Sequence, residues 1–274
     1  MLQVKPFYRN ILLLIIATCT SVASSTALHA DINNEQSNAR GLEISSKRKL
    51  ANSGWQSSRS LYEMTLFKPN GSKSTREMSI DEIEVNDDGN KSLTVFQMPA
   101  DVKGTAFLNH SHLLEPDDQW LYLPKLKRTK RISSKSKSGP FMGSEFAYED
   151  LSSFELEKYQ HNYLNEEKID GIGTYVVELL PLYPNSGYSK IISWVAKDNF
   201  RLVQAQYYDR KKSLLKTLKA EDYRLLHDKF WRAYRMTMTN HVTGKYTTLD
   251  ASSITLNAGL NQQQFSKQKI SRRQ

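Results

Sequence analysis

The stretch from residue 117 to residue 151, DDQWLYLPKLKRTKRISSKSKSGPFMGSEFAYEDL, changes its chemistry twice. It begins with aromatic and apolar residues, becomes strongly basic before residue 132, and then becomes rich in serine and glycine. The first part predicts a strand over residues 119–132, on which successive side chains point to opposite faces. One face is continuously apolar and is suited to line a cavity. This face comprises Trp120, Tyr122, Pro124 and Leu126.

The second half of the same predicted strand carries a cluster of basic side chains. They are Lys125, Lys127, Arg128, Lys130 and Arg131, with Lys135 and Lys137 just beyond. One interpretation is a positive rim that meets lipid phosphate or an acidic docking surface. The other is a solvated surface that protects the edge of a sheet, with the apolar face packed in an ordinary core.

Residues 133–156 are too polar for a strand and too apolar for a free linker. Their apolar side chains are Phe141, Met142, Phe146, Tyr148, Leu151 and Phe154. Residues 144–151 predict a short helix that lies over the sheet, as a lid over an apolar cavity would. A plug that closes one end of a barrel has the same pattern. Packing against the sheet and contact with bound lipid therefore both remain open for Phe141, Met142, Phe146 and Tyr148.

The rest of the chain predicts one strand after another, following a short helix that ends near Gly54. The strands cover residues 57–68, 73–85, 91–98, 105–112, 119–132, 157–166, 173–180, 190–196, 202–209, 214–225, 229–240 and 245–252. Connections such as Pro69-Asn70-Gly71 and Asp170-Gly171 tolerate positive φ, so neighbouring strands should be antiparallel. The sequence predicts one mainly β domain over residues 31–274, built as a curled sheet or barrel.

The N-terminus has the layout of a secretory signal peptide over residues 1–30. Lys5 and Arg9 precede an apolar run over residues 11–17, and small residues follow, which predicts cleavage after Ala27 or Ala30. The apolar run is much shorter than the roughly 20 residues that span a bilayer. The sequence therefore predicts an exported protein located in the periplasm.

The formal net charge of +9 falls to +7 when Lys5 and Arg9 leave with the signal. A basic periplasmic protein attracts lipid headgroups, other anionic polymers or an acidic protein, and makes peripheral contact with membranes. Nucleic acid is excluded as a partner by the location. The single cysteine, Cys19, lies within the signal, so the mature domain has no disulfide. Without a heptad pattern or a second domain, a monomer is expected.

No sequence motif supports catalysis, a metal or a cofactor. Glu149-Asp150 is a candidate acid and base pair, although a capping or exposed acidic pair is the favoured interpretation. His110 and His112 are spaced to share one face of a strand, but no third metal ligand follows from spacing. Phosphate-binding loops, nucleophile elbows and zinc-protease motifs do not occur. The sequence predicts a binding protein that is not an enzyme, with a lipid hydrolase as the weakest alternative.

The stretch over residues 117–151 closely resembles the signature of exported bacterial outer-membrane lipoprotein-sorting proteins, relatives of the LolA and LolB carriers. The resemblance extends to DVKGTA at residues 101–106, YYDRK at 207–211, KTL at 216–218 and TMTN at 237–240. It implies a half-open antiparallel β-barrel of about eleven strands, closed on one side by helices, whose apolar interior receives acyl chains.

The same resemblance implies a function and partners. The function would be to carry lipid or lipoprotein acyl chains between the inner and outer membranes, through lid motion and without covalent chemistry. An inner-membrane transporter of the RND/MMPL type is implied as a partner, so the alternative function is an accessory or adaptor subunit of such a transporter. The resemblance assigns no individual ligand residue.

Overall fold

The computed structural model describes residues 19–271. Residues 1–18 of the predicted signal peptide lie outside the described residues, so the signal peptide stays a prediction. The first element, α1, spans Cys19–Ala51 and is longer than the short helix expected before Gly54. A second, four-residue helix, α2, covers Lys267–Ile270. Neither helix is both long and apolar enough to span a bilayer.

One antiparallel sheet of 13 strands forms the body of the molecule. The strands are β1 (Ser57–Phe67), β2 (Lys73–Ile83), β3 (Lys91–Met98), β4 (Ala106–His110), β5 (Asp118–Leu123), β6 (Arg128–Ile132), β7 (Tyr159–Ile169), β8 (Ile172–Pro181), β9 (Tyr188–Ala196), β10 (Leu202–Asp209), β11 (Leu214–Leu226), β12 (Phe230–Asn240) and β13 (Tyr246–Leu256). Their spatial order is β6-β5-β4-β3-β2-β1-β13-β12-β11-β10-β9-β8-β7. Within residues 19–271 the edge strands β6 and β7 do not pair, so the structure is a half-open barrel, as expected.

The strand count differs from the expected eleven or twelve because residues 119–132 do not form one strand. Pro124 has no N–H for the ladder and a fixed φ, which favours a break at this point. It begins a 3-10 turn, Pro124–Leu126, after which Lys127 adopts a left-handed φ of 47°. The chain then reverses, and β5 and β6 form an antiparallel hairpin.

The segment over residues 133–158 links β6 to β7 across the open side, and we call it the lid. It contains 3-10 turns at Ser134–Ser136, Phe141–Gly143, Tyr148–Leu151 and Leu156–Lys158. The short helix expected over residues 144–151 is thus a single turn. Phe141 packs on the rings of Phe96 and Phe107, with centroids 5.8 and 5.2 Å apart. The lid therefore fills the concave side of the sheet with aromatic side chains.

Helix α1 lies beside the edge strand β7. The Ser37 hydroxyl donates to the Tyr163 carbonyl at 2.7 Å, and Ile44 is buried in the core under the lid. Gly41 allows this close approach, since a Cβ there would lie 2.7 Å from the backbone nitrogen of Tyr163 and 2.8 Å from the carbonyl oxygen of His161. The helix and the lid together cover the gap between β6 and β7.

Both faces of the sheet are covered by apolar residues. On β8, Val177 faces the lid and α1, whereas its neighbour Val176 faces a separate cluster on the outer side. On β3 to β5, the C-terminal segment covers the outer side, where Phe265 and Ile270 are fully buried. The inner face is thus the one shared by the lid, α1 and strands β8 to β11.

Candidate functional site

A cavity of about 190 Å³ lies between the lid, α1 and the inner face of β8 to β11, and we call it the inner cavity. One wall is apolar because the inward positions of these strands are aliphatic. This wall consists of Leu179, Ile191, Leu202, Ala205 and Leu218. The opposite wall comes from the lid and carries charged side chains. The volume is below the roughly 300 Å³ at which ligand pockets usually begin.

A second cavity of about 610 Å³, the outer cavity, opens beside the C-terminal end of α1. Its lining is more polar and includes Glu82, Trp231 and Arg232. Arg48 and Phe154 line both cavities and therefore stand between them. The carbon of the Arg48 guanidinium lies 4.3 Å from the centre of the Phe154 ring. This stacked pair separates the apolar inner cavity from the polar outer one.

Asp150 anchors the lid to the inner face of the sheet. Its carboxylate accepts hydrogen bonds from the Lys216 ammonium and the Tyr188 hydroxyl, each at 2.6 Å. It also accepts one from the backbone of Ala147 at 2.7 Å, which holds the lid turn closed. Lys216 further donates to the Glu145 carbonyl at 3.1 Å. The capping interpretation of the acidic pair is therefore confirmed for Asp150, although its carboxylate is buried and not exposed.

Glu149 fastens the same turn to the loop before β9. It accepts a hydrogen bond from the Gly187 backbone at 2.9 Å and one from the Ser186 hydroxyl at 3.3 Å. Burial is the main cause that raises the pKa of Glu149 to about 7, and the neighbouring Asp150 adds to it. A side chain at Gly187 would approach the Glu149 carboxylate to 2.7 Å, so this contact requires glycine.

Two buried lysines share one carboxylate at the far end of the inner cavity. Lys158 is ion-paired with Asp117, and the Lys137 ammonium lies 3.8 Å from the same carboxylate. Burial lowers the pKa of Lys137, while Asp117 opposes that shift. Lys137 was expected to extend the exposed basic rim, but the lid turns it inward and leaves it 7% exposed.

The structure places the predicted lipid-contacting residues of β5 on the other side of the sheet. Trp120 and Tyr122 pack on the outer face, where Tyr122 lies in the cluster of Phe265 and Ile270. Leu121 and Leu123 contact the inner core instead. Leu126 lies in the turn and is 68% exposed. The alternation was predicted correctly, but the face that looks inward was assigned wrongly because both faces are apolar.

The predicted lid residues lie inside the core and do not line the inner cavity. Phe141 and Phe146 are buried, and Tyr148 packs edge-on against Phe141 with centroids 5.5 Å apart. The Met142 carbonyl accepts a hydrogen bond from the Arg76 guanidinium of β2 at 2.5 Å. These side chains occupy the concave side of the sheet. Their contact with lipid stays a prediction.

The five basic residues lie together on the turn and on β6, and we call them the basic hairpin. The basic hairpin comprises Lys125, Lys127, Arg128, Lys130 and Arg131, and all five side chains are exposed. Arg131 is ion-paired with Asp118 on β5. Their contact with a membrane or a partner is untested, and the sheet edge on which they lie also fits the protective interpretation.

The two histidines considered as metal ligands have other partners. His110 contacts the Phe265 carbonyl at 2.7 Å, and His112 contacts Asp88 at 2.6 Å. His112 lies beyond the end of β4, so the two do not share a strand face. Within residues 19–271 no group of three or more histidine, cysteine or acidic side chains is arranged to hold a metal ion.

Comparison with known proteins relates the chain to a family of bacterial proteins. A family model described as "uncharacterized protein" matches residues 88–272. The crystal structure of an outer membrane lipoprotein-sorting protein domain from Vibrio parahaemolyticus is similar, with 51% identity and a TM-score of 0.84 over 85% of this chain and 99% of that one. A DUF1329 family protein from Desulfovibrio piger is 29% identical, with a TM-score of 0.81 over 85% and 99% of the two chains.

A LolA superfamily protein from Nitrosomonas europaea shares the fold. It is 23% identical, with a TM-score of 0.67 over 83% of this chain and 98% of that one. No curated protein matches the chain. These similarities confirm the resemblance that the stretch over residues 117–151 carries, and they agree with a LolA-like half-open barrel.

Proposed function

Because this chain belongs to the outer membrane lipoprotein-sorting protein family, we propose that it carries lipid or lipoprotein acyl chains through the periplasm between the two membranes. The observation that carries the proposal is the inner face itself, an apolar surface interrupted by Lys216 and covered by a separate lid. An apolar cavity beneath such a cover is suited to receive a hydrocarbon chain. Cargo would bind without covalent chemistry.

The inner cavity is too small for a whole acyl chain, so cargo entry requires the lid to move. Phe141 and Phe146 occupy the centre of the concave side in the closed state. Exposing two such aromatic side chains costs about 1.5–3 kcal/mol each. An acyl chain gains about 0.8 kcal/mol for each methylene that it buries. A chain of ordinary length therefore offsets the opening of the lid.

The lid is held by the buried side chains of Phe141 and Phe146 and by polar contacts to several strands. Arg76 donates to the Met142 carbonyl, Asn240 donates to Glu145 at 2.7 Å, and Asp150 is paired with Lys216. Each of these three contacts joins the lid to a different strand of the sheet. The lid lies outside the strand pairing, so opening it breaks these contacts and withdraws Phe141 and Phe146 without disturbing the ladder of the sheet. Lid motion is thus the proposed step of capture and release.

The experiment that tests the proposal is native mass spectrometry of the mature protein purified gently from its own periplasm, with extraction of any bound lipid. A stoichiometric lipid or acylated protein supports the carrier function and gives the cargo class. A clean mass for the unliganded protein, with no uptake of added lipids, contradicts it.

A second candidate function is an adaptor subunit of an RND/MMPL-type transporter. The observation that favours it is the filled concave side, where Phe141 lies against Phe96 and Phe107 and leaves little open volume. In that case the lid is a permanent plug, and the exposed basic hairpin would meet the partner. Co-purification with a membrane complex in the absence of lipid distinguishes the adaptor from the carrier.

A further inference from the structure

Arg48 differs from the other cations that line the two cavities because its guanidinium has neither an ion pair nor a hydrogen-bond acceptor among the described residues. Within residues 34–271 no carboxylate or other acceptor pairs with its guanidinium, which lies over the Phe154 ring. The other cations do have partners. These are Glu155 for Lys49, Asp117 for Lys137 and Lys158, Asp198 for Arg201, and Asn52 for Arg232.

The environment of Arg48 withdraws it partly from water without compensating its charge. The side chain is half-buried, and burial is the main cause that lowers its pKa. The groups that oppose this shift are the phenols of Tyr223, Tyr207 and Tyr159. Guanidinium stays charged in proteins and offers five N–H donors in a planar fork. Those donors face the cavities and lack a protein acceptor.

Tyr207 supplies a second donor next to the same space. It is 9% exposed and lines the inner cavity, and its hydroxyl has no hydrogen-bond partner in the part of the chain that the structure describes. Burial raises the pKa of Tyr207 well above its usual range, so the phenol keeps its proton and can donate. By contrast, the Tyr223 hydroxyl is occupied by the Leu202 carbonyl.

The unpaired donors lie at one end of an apolar wall. Leu202, Ala205 and Leu218 line the inner cavity together with Arg48 and Tyr207. Both donors reach the cavity and have no protein acceptor in the described part of the chain, and hydrogen bonds to a charged group are the strongest that they can form. The ligand that satisfies this arrangement has an oxyanion at one end and a hydrocarbon chain at the other.

We propose that Arg48 and Tyr207 form a receptor for the anionic head of a single-chain amphiphile, a carboxylate or a phosphate, whose chain lies along the inner face of β8 to β11. This inference rests on the proposed carrier function and specifies its cargo. The head occupies the junction of the two cavities, where the outer cavity admits solvent. The chain points away from it and beneath the lid.

The test is isothermal titration of the full mature protein with three probes of equal chain length, dodecanoate, dodecyl phosphate and uncharged dodecanol, the two anions below their critical micelle concentrations and dodecanol below its solubility limit. The wild type should bind the better of the two anions about tenfold more tightly than dodecanol, a difference of about 1.4 kcal/mol. Comparing the two anions decides between a carboxylate and a phosphate head.

Arg48→Gln should remove the preference for an anion and leave dodecanol affinity unchanged. Lys47→Gln is the matched control, because it removes the same charge one residue away from an exposed side chain that pairs with Glu43. Arg48→Lys keeps the charge and should keep part of the preference, and Tyr207→Phe should weaken anion binding only. Thermal unfolding establishes that each variant is folded.

Two results overturn the inference while leaving the carrier function intact. One is equal affinity of the wild type for dodecanol and both anions, and the other is an anion preference that survives Arg48→Gln. Failure of all three probes to bind the wild type contradicts the carrier function and the inference together.

Discussion

The carboxylate of Asp150 lies 2.6 Å from the ammonium of Lys216, and both side chains are at least 96% buried. Asp150 belongs to the lid and Lys216 to β11, so this pair joins the lid to the sheet. Burying two opposite charges costs solvation that their attraction roughly restores. Removing one partner is much worse, because the other then stays buried without compensation.

Asp150→Asn should therefore lower the free energy of unfolding by about 3–5 kcal/mol, measured by urea denaturation at neutral pH. The double variant Asp150→Asn with Lys216→Met should lose distinctly less, since no charge remains buried. Glu166→Gln breaks the exposed pair with Lys197 and should change stability by about 1 kcal/mol or less. Equal losses in the single and double variants would show that Asp150→Asn does not leave Lys216 as an uncompensated buried charge.

The pH dependence of stability should carry a contribution from Glu149. Its pKa in the folded protein is raised to about 7, above the ordinary value of 4.5, so the folded state holds this proton more tightly than the unfolded chain does. The unfolding free energy contributed by this group is therefore greatest below pH 4.5 and falls as the pH rises to about 7.

Glu149→Gln should flatten that part of the profile. Urea denaturation of the wild type and the variant at several pH values from 5 to 8 measures the difference between them, in which histidine titrations cancel. The wild type should lose stability relative to the variant as the pH rises. A difference that stays constant with pH would show that Glu149 titrates normally.

Arg76 should act as a latch of the lid. Its guanidinium donates to the Met142 carbonyl, and such a bond to a charged donor contributes about 1.5–3 kcal/mol. Arg76→Gln should raise hydrogen exchange in residues 138–152 while leaving β8 and β9 protected. Arg235→Gln, which breaks an exposed contact with Asp250, is the control and should leave the lid unchanged. Equal hydrogen exchange of residues 138–152 in Arg76→Gln and in the wild type would show that Arg76 does not hold the lid.

The basic hairpin should bind anionic membrane surfaces. Four of its residues, Lys127, Arg128, Lys130 and Arg131, are exposed, so changing them together to Glu should leave the fold intact. Co-sedimentation with anionic vesicles at low salt should then fall to the level seen with neutral vesicles.

A matched control changes four exposed lysines on other loops and strand ends to Glu. These are Lys73, Lys211, Lys212 and Lys245. It should keep most of the vesicle binding if the hairpin, and not net charge alone, makes the contact. Unchanged binding by the hairpin variant would favour the edge-protecting interpretation.

Period-two alternation predicted most of the fold, because strands buried on one face show their pattern locally. The strands at Lys91–Met98 and Leu202–Asp209 begin and end where the sequence indicates. Pro124 carried the signal for the break between β5 and β6, but the continuous basic run masked it. The local sequence pattern could not predict which face Trp120 and Tyr122 occupy, because the distant residues Phe265 and Ile270 cover that face.

The candidate site was the least predictable part. Asp150, Lys216 and Tyr188 come from a lid and two separate strands, and nothing in their local sequence says that they meet. Arg48 sits in a polar helix among other basic residues, so its lack of a partner appears only when the sheet closes around it. Buried charges of this kind depend on tertiary packing and leave little trace in the sequence pattern.

The central claim is that acyl chains lie on the inner face of the sheet beneath the lid. It is tested most directly by photocrosslinking with a fatty acyl probe that carries a diazirine near the chain end, followed by peptide mapping. The account predicts crosslinks to inward positions such as Leu179, Ile191 and Leu218, and their loss when unlabelled lipid competes. Crosslinks confined to the outer face, at Val176 or Trp194, would contradict it.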